Sequence, residues 1–195
     1  INGFLPSSLD GGERCSLGFL PLGTGNSFLR DFTTDGENAA IEALKNGSSR
    51  GCDVNALHHE KGTFYSMNIL SMGFTARVGA TTNRRFKPLG EAGYIFGVLS
   101  TLASLQADRF ALTIDGQEEE PLELTLLSLN NSRFTGGKME MAPDASTDDG
   151  FCDMIEVGKM GRFRLLQIFP RIFKGTHTEA LEVRSRKVQN IVFRE

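Results

Sequence analysis

The chain has 195 residues, 39% of them hydrophobic and 23% charged, with 22 glycines against 6 prolines. These fractions lie near globular averages and exclude disordered, collagen-like and low-complexity classes, and the length can bury a real core. A formal net charge of −3 argues against non-specific nucleic-acid binding, and no apolar run approaches the roughly 18 residues that a membrane-spanning helix needs.

Ile1-Asn2-Gly3-Phe4-Leu5 reads as the end of a helix already under way, so the chain is expected to be part of a longer protein. Ser16 to Leu22 is an apolar run of buried-strand length that stops at Gly23-Thr24-Gly25-Asn26, and Ser27 to Arg30 then reads as a new helix. Glu37 to Lys45 is a second helix with Ala40, Ile41 and Leu44 as its stripe and Gly47 as its stop. Strand, turn and helix in this order predict an α/β layer over residues 1–50. Beyond Gly51 the texture changes. Cys52–His58, Thr63–Met72, Arg109–Asp115, Leu122–Leu129, Phe151–Val157, Leu181–Arg186 and Val188–Phe193 read as strands, separated by turn signals such as Lys61-Gly62 and Asp115-Gly116. They predict a mainly antiparallel sandwich over residues 51–195, giving an α+β chain overall. Two helices interrupt it. Leu89–Leu105 sets Ala92, Ile95, Val98, Leu99 and Leu102 on one face, and Arg162–Lys174 carries a kink at Pro170.

Three features have residues suited to chemistry. In Gly23-Thr24-Gly25-Asn26, two glycines after a strand let backbone amides approach a phosphate, and a following helix would aim its positive end there. An ordinary strand–turn–helix corner has the same pattern. In the run from Gly136 to Asp153, Asp144, Asp148, Asp149 and Asp153 fall within ten residues. Such density suits a hard divalent cation. An EF-hand does not fit, because Asp149 would fall where the invariant glycine belongs and Ile155 where the bidentate glutamate belongs. A site of one carboxylate plus backbone carbonyls and a solvated acidic turn both remain open. The third feature is basic: Arg77, Arg84, Arg85 and Lys87 before one helix, and Arg162, Arg164, Arg171 and Lys174 on the other. These suit anionic lipid head groups as well as the wet face of a packed helix. His58-His59 would point to opposite faces of a strand, so joint metal ligation is not expected. Cys15, Cys52 and Cys152 form neither a CxxC pair nor a disulfide framework, which points to a reducing, cytosolic setting.

Together these pieces resemble the diacylglycerol kinase catalytic-domain superfamily, which includes bacterial soluble lipid kinases, eukaryotic diacylglycerol kinases and sphingosine kinases. Leu20-Pro21-Leu22-Gly23-Thr24-Gly25-Asn26 is similar to its second nucleotide motif, and Gly51-Cys52-Asp53-Val54 to the aspartate-bearing strand that leaves its nucleotide domain. Gly136-Gly137 through Ala142-Pro143-Asp144 to Asp149-Gly150 and Asp153 resembles its GG…AP.A…DG..D signature, and Gly175-Thr176-His177 its G-x-H.

The resemblance implies an α/β nucleotide domain beside a β-sandwich, with lipid entering the cleft between them. It implies transfer of the γ-phosphoryl group of ATP to a lipid hydroxyl, with Mg²⁺ as a second cofactor. Gly23, Thr24, Gly25, Asn26 and Ser27 would form the nucleotide turn, with Thr24 on the phosphates. Asp149 would hold Mg²⁺ with the backbone carbonyls of Ser146 and Phe151, as a structural ion. Ser27 stands where the family has an aspartate. The family's G-G-D-G-T loop is expected upstream of Ile1, and its D-G-E motif, with the general base, after Glu195. This polypeptide alone is therefore expected to bind ATP poorly and not to turn over. Arg77 follows Gly73-Phe74-Thr75-Ala76, where sphingosine kinases carry an acidic residue facing the substrate amine. The resemblance therefore favours diacylglycerol or a related glycerolipid over a sphingoid base. The expected partners are a lipid substrate and a peripheral membrane surface, with no nucleic acid. The alternatives are a sphingosine- or ceramide-type kinase, an NAD-kinase-like enzyme, and a non-catalytic lipid-binding module with a degenerate nucleotide site.

Overall fold

The computed structural model describes residues 1–2, 5, 16–23, 25–33, 35–82, 84 and 91–194, and the side chains of all but 91–94 and 103 of these. In chain order, a single 3-10 turn at Phe28–Asp31 precedes α1 (Gly36–Asn46), which Gly47 ends in the left-handed conformation. A hairpin follows, β1 (Asn55–His59) and β2 (Gly62–Ser66), then β3 (Ile69–Gly73), α2 (Phe74–Thr81) and α3 (Glu91–Thr101). β4 (Asp108–Ile114), β5 (Gln117–Glu118), β6 (Leu122–Asn130), β7 (Phe134–Thr135), β8 (Met139–Glu140) and β9 (Cys152–Gly158) come next. α4 (Arg162–Ile168) continues as a 3-10 segment at Phe169–Lys174, and β10 (Val183–Val188) and β11 (Ile191–Arg194) close the order.

The main sheet is antiparallel, as expected, with strand order β10-β9-β6-β4-β11. β6 is its spine. One edge pairs with β9, while the other pairs with β4 at residues 122–124 and with β3 at residues 126–130. That division of one edge between two strands curls the sheet into a half-barrel. A bulge lies between Leu124 and Leu126, and Thr125 inside it donates its hydroxyl to the Gly158 carbonyl at 3.0 Å. The turn from β4 to β5 is Asp115-Gly116, both with positive φ (48° and 83°), as a two-residue hairpin requires. At Gly73, with φ 76°, a Cβ would come within 2.7 Å of the Thr125 carbonyl, so only glycine lets β3 approach β6 and turn into α2.

Side-chain alternation along the strands builds a core on each face. Leu112, Ile114, Leu124, Leu127, Leu129, Cys152, Met154 and Val188 pack on one face. Ile155, Val157 and Val183 pack on the other, under Ala142, Ala145 and Ile168. β9 is buried along nearly its whole length because both of its faces are covered.

The structure corrects four readings. Residues 16–22 form no strand among the described residues: no neighbouring strand offers them a ladder, Leu22 is 83% exposed, and Gly18 lies against Leu44 of α1. The α/β layer expected over residues 1–50 is therefore represented by helices alone among the described residues. Thr63–Met72 is two strands, broken at Met67-Asn68. The stripe expected on α3 is half exposed: Val98 is buried, but Ile95 and Leu99 face outward. At Pro170 the chain changes from α to 3-10 geometry rather than kinking within one helix, because proline removes an internal hydrogen bond.

Candidate functional site

The Gly23–Ser27 turn is closed by its own asparagine. Asn26 adopts φ 46°, accepts the Gly23 N–H on Oδ1 at 3.1 Å, and donates from Nδ2 to the carbonyls of Pro21 (3.1 Å) and Gly23 (2.7 Å). A short polar side chain tolerates this left-handed backbone. Asn26 thus shapes the turn. Ser27 accepts the Gly137 N–H at 2.8 Å, which joins the turn to the Gly136-Gly137 corner 110 residues later. The residue standing where the family has aspartate is therefore a docking group. Gly25 lies beside the same Gly137 nitrogen. Thr24 lies outside the described residues. Asn26 and Ser27 line an open cleft of about 460 Å³ with Phe19, Leu20, Phe28 and Tyr65, a volume in the range of small-molecule sites. The helix expected after the turn is one 3-10 turn of four residues, so an α-helical dipole does not reinforce the turn.

The acidic loop is tied on two sides. Asp53 donates its N–H to the Thr147 carbonyl (2.6 Å) and accepts the Gly150 N–H on Oδ2 (2.7 Å). The fully buried Asn131 donates to the Asp53 carbonyl at 2.7 Å and to that of Met67 at 3.0 Å. Asp149 accepts the Phe151 N–H on Oδ1 (3.1 Å) and the Lys187 ammonium on Oδ2. Burial pushes the Asp149 carboxyl up, but Lys187 and the Phe151 N–H outweigh it and hold it below the ordinary carboxylate range. Asp153 is buried and pushed up, chiefly by desolvation, with the charge of Lys187 opposing. Ser146 donates its hydroxyl to Asp148 at 2.7 Å.

A resident Mg²⁺ does not fit this set. Both oxygens of Asp149 already have partners, and among the described residues no group of three or more acidic, histidine or cysteine side chains is placed to hold a metal ion. Waters would complete the octahedron of Mg²⁺, so ligand number is not the obstacle; the Lys187 ammonium on Asp149 Oδ2 is, because it sets a like charge beside the ion.

A cavity of about 60 Å³ lies beneath α2, α3, α4 and the 3-10 segment, lined by Phe74, Val98, Leu165, Ile168, Phe169 and Ile172 among others. His177 and Thr75 are polar members of its wall. His177 donates from Nε2 to the Met141 carbonyl at 3.1 Å, while its buried Nδ1 and the Thr75 hydroxyl have no partner among the described residues. Burial pushes the His177 imidazole below its ordinary value. Arg77 is not in this wall. Its guanidinium binds Asp108 (2.9 Å) and the Gln106 carbonyl (3.1 Å), so its charge is balanced and the argument against an ammonium substrate loses its footing.

The residues that join these parts carry no motif in the sequence. Asp31, 5% exposed at its side chain, accepts Arg133 Nε at 2.7 Å and the Arg133 N–H. Arg50 stacks over Phe32 at 4.0 Å and reaches Thr147 Oγ1 at 3.3 Å. Partners about a hundred residues apart leave no local signal. Burial raises the thiols of Cys52 and Cys152, the latter to about 12, so neither is a ready thiolate, and Cys15 lies outside the described residues.

Residues 68–195 match the family model described as the YegS C-terminal NAD kinase beta sandwich-like domain. The diacylglycerol kinase of Mycobacterium tuberculosis is 32% identical over 183 residues, covering 92% of this chain and 59% of that protein. A probable lipid kinase YegS-like of Pseudomonas fluorescens is 36% identical over 140 residues, covering 71% of this chain and 45% of that protein. A crystal structure of a diacylglycerol kinase from Bacillus anthracis str. Sterne superposes with a TM-score of 0.60 at 19% identity, covering 93% of this chain and 57% of that one. The half-barrel is thus a sandwich domain of the kind found at the C-terminal end of such kinases. The chain belongs to the diacylglycerol kinase and YegS-like lipid kinase family. It spans less than two thirds of the length of the curated relatives it matches.

Proposed function

We propose that this chain is part of an ATP-dependent lipid kinase that phosphorylates a hydroxyl of diacylglycerol or a related glycerolipid. The observation that carries the reading is the apolar cavity with two polar atoms in its wall, His177 Nδ1 and Thr75 Oγ1, that have no partner among the described residues. Apolar pockets with a few convergent polar groups are the usual form of lipid and small-molecule sites. At about 60 Å³ the cavity is smaller than an acyl chain, so binding requires α3 and α4 to part. Val98 and Leu165, which meet across that seam, are the side chains that would separate.

In this reading the sandwich holds the lipid and the Gly23–Ser27 turn, at the edge of its cleft, receives the phosphates of ATP. ATP supplies the phosphoryl group, and this chain's own residues position and shield the acceptor. The glycerolipid assignment rests on the names of the relatives, since Arg77 is engaged by Asp108.

A lipid surface is the proposed source of substrate. Ile95, Phe96 and Leu99 of α3 and Phe163 of α4 face outward on the helices that roof the cavity, and Phe163 is 85% exposed. Arg164 and Arg171 on α4 and its continuation pair with Glu182 and Glu179, so this surface is of mixed charge and the exposed apolar side chains carry the proposed contact. Among the described residues no helix is long and apolar enough to cross a membrane.

The test is phosphate transfer from labelled ATP by the full-length protein to diacylglycerol, sphingosine and ceramide in mixed micelles. Labelled phosphatidic acid is expected, and Val98→Phe should raise KM for lipid more than KM for ATP. No transfer to any lipid, or a preference for sphingosine, would overturn the assignment.

A further inference from the structure

We infer that the ammonium group of Lys187 takes the place of a divalent cation at the acidic loop, so that this loop is held without a resident metal. The inference starts from strand register. Lys187 stands directly across the β9–β10 pair from Asp153, on the same face of the sheet. From there its side chain reaches Asp149 Oδ2. The ammonium therefore lies on the loop carboxylate, projecting from the position paired with the buried Asp153, a compact point charge with several donors. Four further contacts hold the same short loop: the Phe151 N–H on Asp149 Oδ1, Asp53 on Gly150 and on Thr147, and Gln189 Nε2 on the Gly150 carbonyl at 3.4 Å. All come from the protein, while Oδ2 of the buried Asp153 has no hydrogen-bond partner among the described residues.

The loop also carries the junction with the preceding segment. Asp53 attaches to it directly and Arg50 through the Thr147 hydroxyl. Fixing Asp149 by a lysine thus fixes the approach of residues 50–53 to the sandwich irrespective of metal supply. Mg²⁺ arriving with a nucleotide is a separate matter, and the inference does not depend on the lipid-kinase reading.

The experiment is thermal unfolding of the full chain with EDTA, with excess Mg²⁺ and with excess Ca²⁺, repeated for Lys187→Met, Asp149→Asn and the double variant. Wild type should melt at one temperature in all three conditions. Lys187→Met should lower Tm by about 2–4 °C, the shift expected for a pair of this exposure in a chain of this size. The double variant should lose less than the sum of the two single ones, which distinguishes a lost pair from lost packing. The inference is overturned if EDTA lowers the wild-type Tm and Asp149→Asn removes that sensitivity. It is equally overturned if Lys187→Met leaves Tm unchanged, or if the two single losses are additive. Phosphoryl transfer is not measured, so failure of the kinase reading would not be mistaken for failure here.

Discussion

Gly175 lies against Pro143: with φ 67°, a Cβ at this glycine would meet Pro143 Cγ at 2.7 Å and Glu140 Oε2 at 3.0 Å. Two motifs separated by more than thirty residues thus pack as one corner, and the same corner carries His177 to the Met141 carbonyl. Gly175→Ala combines a strained backbone with a clash against the Pro143 ring and the Glu140 carboxylate. It should destabilise by about 1–3 kcal/mol, read as a lower urea midpoint with the slope unchanged.

His177 predicts a pH dependence. Burial lowers its folded pKa below the ordinary 6.5, so the unfolded chain binds the extra proton first. Its contribution to stability is complete above 6.5 and is lost as pH falls through the folded value. In urea titrations across this window, His177→Gln should show a flatter slope than wild type. An identical slope would mean that the imidazole takes up its proton equally in the folded and the unfolded chain.

Much of the sandwich was legible from residues 108 to 194, where Leu-x-Leu alternation on β6 and the Asp115-Gly116 turn encode strands locally. The helix α2 was not, because Phe74–Thr81 follows a strand without a capping residue and its only start signal is Gly73, whose positive φ is set by contact with Thr125. The first 50 residues misled for a related reason: an apolar run becomes a strand only when a neighbour pairs with it. Within the site, motif residues such as Asn26 and His177 could be named in advance, whereas Asp31, Arg133 and Lys187 act through partners that only the fold brings near.

Asp31 anchors the 3-10 turn to the sandwich through a charge-assisted bond to Arg133, whose own side chain is 36% exposed. Asp31→Ala should cost about 1–2 kcal/mol. The clearest readout is limited proteolysis, with cleavage between residues 16 and 50 accelerating while the sheet stays intact. Equal protection in wild type and variant would show that Ser27 and Arg50 suffice.

Phe163 and Leu181, 85% and 99% exposed, touch little of the folded chain. Replacing both with serine should leave stability within about 0.5 kcal/mol, yet weaken sedimentation with anionic vesicles about tenfold, equivalent to roughly 1.4 kcal/mol. Unchanged vesicle binding would remove this face from any contact with a bilayer.

Asn2 both donates to the Tyr65 carbonyl (3.0 Å) and accepts the Tyr65 N–H (2.6 Å). One carboxamide thus imitates a rung of sheet on the free margin of a two-stranded ribbon. Unpaired margins recruit stray chains into intermolecular sheets, and Asn2 occupies both backbone groups of Tyr65 that such pairing would use. Its loss would be felt first as a lower solubility limit, well before any loss of fold.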